Sequence, residues 1–138
     1  MNPKELDAVI DLVVIDDHPI ESFGVSRLLH RQPDMRVAAV CLSEADAIDA
    51  IRRLQPRIVI ADLHNPVLAG PRLTQAIRDA AGVASVIIVT RNPMSSDMFR
   101  AVGVAGFVAT DVALLHLAEC IRQVNDGAAW VEYPSPPR

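Results

Sequence analysis

Asp16, Asp17 and Asp62 are the residues of this chain whose type and placement promise chemistry, with Thr90 beside them. Each stands at the end of a short apolar run. Asp16 and Asp17 follow LVVI at residues 12–15, Asp62 follows IVIA at residues 58–61, and Thr90 follows ASVIIV at residues 84–89. Runs of this kind, bounded by turn signals, suit strands covered on both faces, as in a parallel sheet. In open α/β sheets the ligand crevice lies beyond the carboxyl ends of the strands. Acidic groups that end neighbouring strands therefore meet there. Left alone, such a cluster is electrostatically costly and one member takes up a proton. A hard divalent cation relieves the cost through oxygen ligands, and Mg2+ in particular uses one or two carboxylates plus a phosphate while keeping waters. Thr90 adds a hydroxyl able to reach an oxygen anion in the same crevice.

Other reactive types are less promising. Cys41 and Cys120 share no close spacing with each other or with the four histidines, so the pattern predicts two buried, reduced thiols rather than a zinc site or redox pair. His18 is expected in the turn entering the first helix, His30 and His116 on helix surfaces, and Met35, Met94 and Met98 in packing or loops. No G-x-G-x-x-G follows the first strand and no G-x-x-x-x-G-K-[ST] occurs, which disfavours dinucleotide and P-loop sites. A second general acid or nucleophile motif is also missing, so the chain reads as no enzyme.

The elements that must position these groups alternate along the chain. After the first strand, Pro19 suits the first turn of a helix with Val25, Leu28 and Leu29 as its inner face. Residues 35–41 form a second strand. Ser43 with Asp46 resembles a capping box for a helix whose stripe is Ala47, Ile48, Ile51 and Leu54. The third strand ends at Asp62 and a loop holding Pro66 and Gly70 leads to a helix marked by Leu73, Ala76, Ile77 and Ala80. After Thr90 the segment 92–101 is expected to hold a loop and a short helix contacting the core through Met98, Phe99 and Val102. Residues 106–109 form a fifth strand, and Asp111 is expected to cap a last helix with the stripe Leu114, Leu117, Ala118, Ile121 and Val124. Leu115 lies off that stripe and, with Val112 and Glu119, reads either as a dimer seam or as an isolated exposed leucine. Five strand–helix units predict an α/β domain, a flavodoxin-like (βα)5 doubly wound parallel sheet with strand order 2-1-3-4-5.

Composition fits this reading. A chain of 138 residues, 51% hydrophobic and 22% charged, is long enough for one domain with a real core. The net charge of −4 gives no basic face for gripping nucleic acid. No apolar run approaches a membrane span and the first residues lack a signal-peptide core, so a cytoplasmic protein with no membrane role is expected. Residues 1–130 are read as the domain and 131–138, rich in proline, as a linker or tail.

The residues together resemble the receiver domain of two-component response regulators, over nearly the whole chain from Leu12 to Trp130. The resemblance is carried by Asp16 and Asp17, by Asp62 with Pro66 and Gly70 after it, by Thr90, and by GVAGF at residues 103–107. The DDHP at residues 16–19, the pair Thr110-Asp111 and DGAAW at residues 126–130 are similar to the NarL/FixJ subfamily. The resemblance implies a phosphoprotein in which Asp62 accepts a phosphoryl group from a histidine kinase with Mg2+ assistance. It also implies direct metal ligands in Asp17, Asp62 and the His64 backbone carbonyl, with Asp16 acting directly or through water. Thr90 becomes the switch hydroxyl and Phe107 the switch aromatic. Such a chain would be the regulatory half of a transcription regulator, forming a homodimer and meeting DNA only through a C-terminal domain absent from these residues.

The sequence departs from the family at telling places. Thr110 stands where the family has a lysine, and a neutral hydroxyl brings no charge to a phosphoryl group. Lys4 lies before the first strand and cannot substitute. Arg91 stands where the family usually has a small residue, and is read as a possible substitute cation or as a solvent-facing obstacle. Asn65 replaces an apolar residue before Pro66, and the stretch between Thr90 and Gly103 is shorter than the subfamily's. These features mark an atypical receiver and favour, as an alternative, a phosphorylation-independent dimerisation or ligand-sensing module.

Overall fold

The computed structural model describes residues 9–64, 66–91 and 103–131. In chain order the elements are β1 (Ile10–Ile15), α1 (Pro19–His30), β2 (Met35–Cys41), α2 (Glu44–Leu54), β3 (Ile58–Asp62), α3 (Pro66–Ala80), β4 (Ser85–Thr90), β5 (Gly106–Ala109), a 3-10 turn (Thr110–Val112), α4 (Ala113–Asn125) and β6 (Trp130–Val131). All pairings are parallel, and the strands lie in the order β2-β1-β3-β4-β5-β6. The flavodoxin-like order 2-1-3-4-5 is therefore present. A two-residue edge strand, β6, is added beside β5. The short helix expected in residues 92–101, with Met98, Phe99 and Val102, lies outside the described residues. So do Lys4, Asn65, Met94, the side chain of Leu114 and the tail after Val131.

Period-two alternation of apolar residues divides the core into two layers. Val13, Ile15, Val59, Ala61, Val86, Ile88 and Phe107 face α2 and α3, packing with Ala47, Ile51, Leu73 and Ile77. Leu12, Val14, Ile58, Ile60, Ile87, Val89 and Val108 face α1 and α4, packing with Leu29, Leu117, Cys120 and Ile121. Continuous apolar runs are what a sheet covered on both faces requires. Gly106 is needed where β5 crosses α4, since a Cβ there would lie 3.0 Å from both Cys120 Sγ and Ile87 Cγ1. Cys41 and Cys120 are buried and carry no disulfide, as expected.

Local chemistry explains both ends of α2 and the close of α3. The Ser43 side chain accepts the Asp46 backbone N–H at 3.2 Å, fixing the start of α2. At the other end Gln55 adopts a left-handed conformation, φ 49°, normally left to glycine. Its side-chain amide donates to the Arg52 carbonyl at 2.9 Å and to the Ala80 carbonyl at 2.8 Å, so one residue closes the ends of α2 and α3 together.

Four expectations need correction. Pro66 and Gly70 do not lie in a loop: α3 begins at Pro66 itself, because proline lacks only an N–H that a first turn leaves unbonded, and the helix then runs on through Pro71. Asp111 does not cap the last helix. It sits within the 3-10 turn, and α4 starts after Val112 without a side-chain cap. Leu54 is 40% exposed, while Ala50 lies inside with Ala47 and Ile51. Strand β1 starts at Ile10, before the expected Leu12: Ile10 is buried, pairs with Met35 and donates its N–H to the Asp34 carbonyl at 2.8 Å.

Candidate functional site

Strand register builds the site. Ile15 is level with Ala61 and Asp62 is level with Val89, so Asp16 and Asp62 emerge side by side from β1 and β3. The Asp16 N–H bonds the Cys41 carbonyl at 3.0 Å and the Leu63 N–H bonds the Val89 carbonyl at 3.0 Å, carrying the ladder one step past each strand end. Both carboxylates thus hang from fixed backbone. Asp16 is buried, and its Oδ1 accepts the His18 backbone N–H at 2.8 Å. That bond stands in for a side-chain cap at the start of α1, where His18 provides none.

Glu21 completes the cluster. It lies in the first turn of α1, and carboxylate oxygens of Asp16, Glu21 and Asp62 all come within 4.8 Å of one another. The sequence reading missed it, since a glutamate in a first helical turn is ordinarily explained by the helix dipole. The signal was its offset: a helix begun by Pro19 turns its third residue back over the strand end. Asp17 is placed differently from its neighbour. Its side chain is 76% exposed and its Oδ1 lies 2.9 Å from His18 Nδ1. Asp17 groups with Asp16 and His18, and not with Asp16, Glu21 and Asp62.

The electrostatics follow from this crowding. Burial first, then the Asp16 and Glu21 carboxylates, push Asp62 up to about 6, with His18 opposing. Burial also raises Asp16, against the His18 backbone N–H. The exposed His18 is raised, chiefly by Asp17. Three hard oxygen donors in a cluster short of positive charge are the donor set that suits Mg2+.

Asp62 and Glu21 form a wall between two clefts. One, of about 370 Å³, is lined by His18, Glu21, Asp62, Leu63, His64 and Arg91. Arg91 reaches across it, donating from Nη2 to Glu21 Oε1 at 2.8 Å. The other, of about 270 Å³, is lined by Ile20, Glu21, Gly24, Val25, Asp62, Val89, Thr110 and Ala113. Thr110 Oγ1 is buried and has no hydrogen-bond partner. Thr90 and Phe107 are both buried, at 1% and 0% exposure, and Phe107 packs in the layer facing α2 and α3. The structure therefore gathers Asp16, Asp62, His64, Arg91 and Thr110 around one wall, adds Glu21, and turns Asp17 outward.

Comparison with known proteins agrees with this geometry. A family model described as the response regulator receiver domain matches residues 12–122. The nitrate/nitrite response regulator protein NarP of Escherichia coli K12 is 33% identical over 119 residues, 85% of this chain and 55% of NarP. The response regulator GacA of Pseudomonas aeruginosa is 25% identical over 126 residues, 89% of this chain and 58% of GacA. The chain thus spans little more than half the length of these curated relatives. Among solved structures, a two-component response regulator of the LuxR family from Aurantimonas sp. SI85-9A1 is similar with TM-score 0.75 and 26% identity, over 89% of each chain. The non-phosphorylated receiver domain of RcsB from Escherichia coli matches with TM-score 0.79 over 90% of this chain and 98% of that one. At 20% identity it speaks for the fold alone.

Proposed function

Given that this chain belongs to the response regulator receiver-domain family, a signalling module with relatives among NarL/LuxR-type regulators, we propose that Asp62 accepts a phosphoryl group from a histidine kinase. A carboxylate oxygen of Asp62 forms the new O–P bond as the P–N bond of phosphohistidine breaks, and the histidine nitrogen leaves with the electron pair and is protonated. The observation that carries this reading is Asp62 itself, half-buried at a central strand end, among carboxylates and short of positive charge. Receiver domains bind Mg2+, and Asp16, Glu21 and Asp62 would hold it here, with the His64 carbonyl and Asp17 as further candidates. Bound there, the ion supplies charge neutralisation for phosphoryl oxygens.

The chain's own residues set the rest. Arg91, already at the mouth of the polar cleft, exchanges Glu21 for the incoming phosphoryl oxygens. Thr90 donates its hydroxyl to the same group, and Phe107, on the neighbouring strand and the same face of the sheet, transmits the change. The receiver runs one residue past the expected boundary at 130, since Val131 pairs in the sheet, and the residues after it begin a linker. Output passes to a DNA-binding domain, as befits kinship with the transcriptional regulatory protein DegU of Brevibacillus brevis. Dimerisation uses exposed apolar side chains of neighbouring helices, Ile20 and Phe23 on α1 and Leu115 on α4. The setting is cytoplasmic. Among the described residues no helix is long and apolar enough to cross a membrane.

Incubation with a small phosphodonor and Mg2+, followed by intact-mass measurement, tests the proposal. One phosphoryl adduct, lost in Asp62→Asn, is the expected result. A second reading, a module that dimerises or senses a ligand without phosphorylation, is favoured by the unpartnered Thr110 hydroxyl and by the engagement of Arg91 with Glu21. No adduct, with dimerisation unchanged in Asp62→Asn, would establish that reading instead.

A further inference from the structure

Glu21 is approached by basic groups from two sides. Its Oε1 accepts Arg91 Nη2 at 2.8 Å, and its Oε2 lies 3.8 Å from His18 Nδ1. The same carboxylate has an oxygen within 4.8 Å of oxygens of Asp16 and Asp62, so it belongs to the acidic cluster and to the Arg91 ion pair at once. Among the described residues lining the polar cleft, Arg91 is the one arginine or lysine. It directly follows Thr90, the last residue of β4. Its side chain is 74% exposed, so it can leave Glu21 without any repacking of the core. Arg91 on Glu21 and a cation held by Asp16, Glu21 and Asp62 draw on the same negative charge, and the two positive groups repel each other at this range.

We propose that Arg91 is a tethered competitor for the acidic cluster: it and a divalent cation displace one another at Glu21, so that loading of the cluster is the event that frees the guanidinium for the polar cleft. The inference rests on the reading of Asp16, Glu21 and Asp62 as a Mg2+ site and adds an order of events to it. Arg91 bonded to Glu21 has its charge answered there. Arg91 displaced from Glu21 stands in the cleft that Asp62 lines, at the moment when the ion is in place. The two positive charges therefore reach Asp62 together, and a phosphoryl donor meets both or neither. An exposed ion pair is weak, so the competitor lowers the affinity for the cation by a small factor and does not bar it.

The test is a titration of the isotopically labelled chain with MgCl2 at constant ionic strength. It is read by the Arg91 Nε–Hε signal, assigned by its loss in Arg91→Ala, and by the backbone amide of Leu63 beside Asp62. Both should move with one midpoint, because release and loading are a single event. Arg91→Ala is expected to tighten Mg2+ binding about three- to fivefold, the worth of an exposed pair. Glu21→Gln weakens binding, and adding Arg91→Ala to it should change the affinity by less than about 1.5-fold, since the two substitutions remove one interaction. Arg91 and Glu21 are not buried, so these variants are expected to keep the native amide spectrum. An Arg91 signal that stays still while Leu63 saturates would overturn the proposal. Equal tightening by Arg91→Ala in the wild type and in Glu21→Gln would do the same, as the mark of plain charge repulsion. No saturable Leu63 shift in any of these proteins, or undiminished binding in Asp62→Asn, would overturn the Mg2+ reading itself and this proposal with it.

Discussion

Arg91 donates to Glu21 across the mouth of the polar cleft, Nη2 to Oε1 at 2.8 Å, and Glu21 shares its carboxylate cluster with Asp62. The cation expected to serve Asp62 is thus parked one residue away from it. An exposed pair of this kind is worth little to stability, so Arg91 is cheaply released.

Arg91→Ala is expected to slow phosphorylation by a small donor roughly tenfold, the loss of one charge-assisted bond. Rates from intact-mass time courses decide it: faster modification would make Arg91 an obstacle. Glu21→Gln removes a like charge from beside Asp62, and the Asp62 carboxyl carbon shift should then titrate below the value of about 6 set in part by that charge.

Asp62 governs a pH dependence of stability. Its folded-state value of about 6 lies above the unfolded one, so the native state binds this proton more tightly. Stability is greatest, as far as this group goes, below about pH 4 and falls as pH rises through about 6. Asp62→Asn should remove that slope and, at neutral pH, stabilise the fold by about 1–2 kcal/mol, less than a fully desolvated carboxylate would give. Thermal melts across the pH range check this. Mg2+ should raise the melting temperature of the wild type and leave that of the variant nearly unmoved.

Asp34 slopes the other way. Arg122 on α4 grips it from Nε at 2.8 Å and from Nη2 at 3.0 Å, and that bond holds its carboxyl below the ordinary value. Its contribution is present above the unfolded value and lost as pH falls through the folded one. Arg122→Gln should cost about 0.5–1 kcal/mol at neutral pH, since the pair is a third exposed. Urea denaturation should find the difference gone in strong acid.

Gln55 reverses a familiar ranking. Its left-handed backbone costs about 1 kcal/mol, offset by the bonds its amide makes to the Arg52 and Ala80 carbonyls. Gln55→Ala keeps the strain and loses the bonds, for a loss of about 2 kcal/mol. Gln55→Gly loses the bonds and the strain together and should be nearly neutral. Denaturation midpoints that place alanine above glycine would refute this account.

Strand positions were legible because continuous apolar runs leave a buried parallel strand almost no alternative: β2 and β5 fall where residues 35–41 and 106–109 predict, and right-handed crossovers favour a doubly wound sheet, of which 2-1-3-4-5 is a common order. Asp16 and Asp62 were legible for the same reason, as strand ends in register. Glu21 was not, because its place depends on the angle at which α1 leaves β1. The outward turn of Asp17 was hidden too, since it depends on a contact with His18 that types alone do not select. Pro66 and Gly70 misled by type, both being turn residues elsewhere and helical here. A two-residue strand such as β6 has too few residues to show any period.

That brief strand has a mechanical meaning. Val131 is level with Phe107, and the Trp130 N–H bonds the Ala105 carbonyl at 3.1 Å, so the chain leaves the sheet stitched alongside the buried aromatic. A slide or tilt of β5 would therefore carry Trp130 and Val131 with it through backbone bonds. The edge of the sheet at Val131 is thus tied by backbone, not side chains, to the strand that carries Phe107.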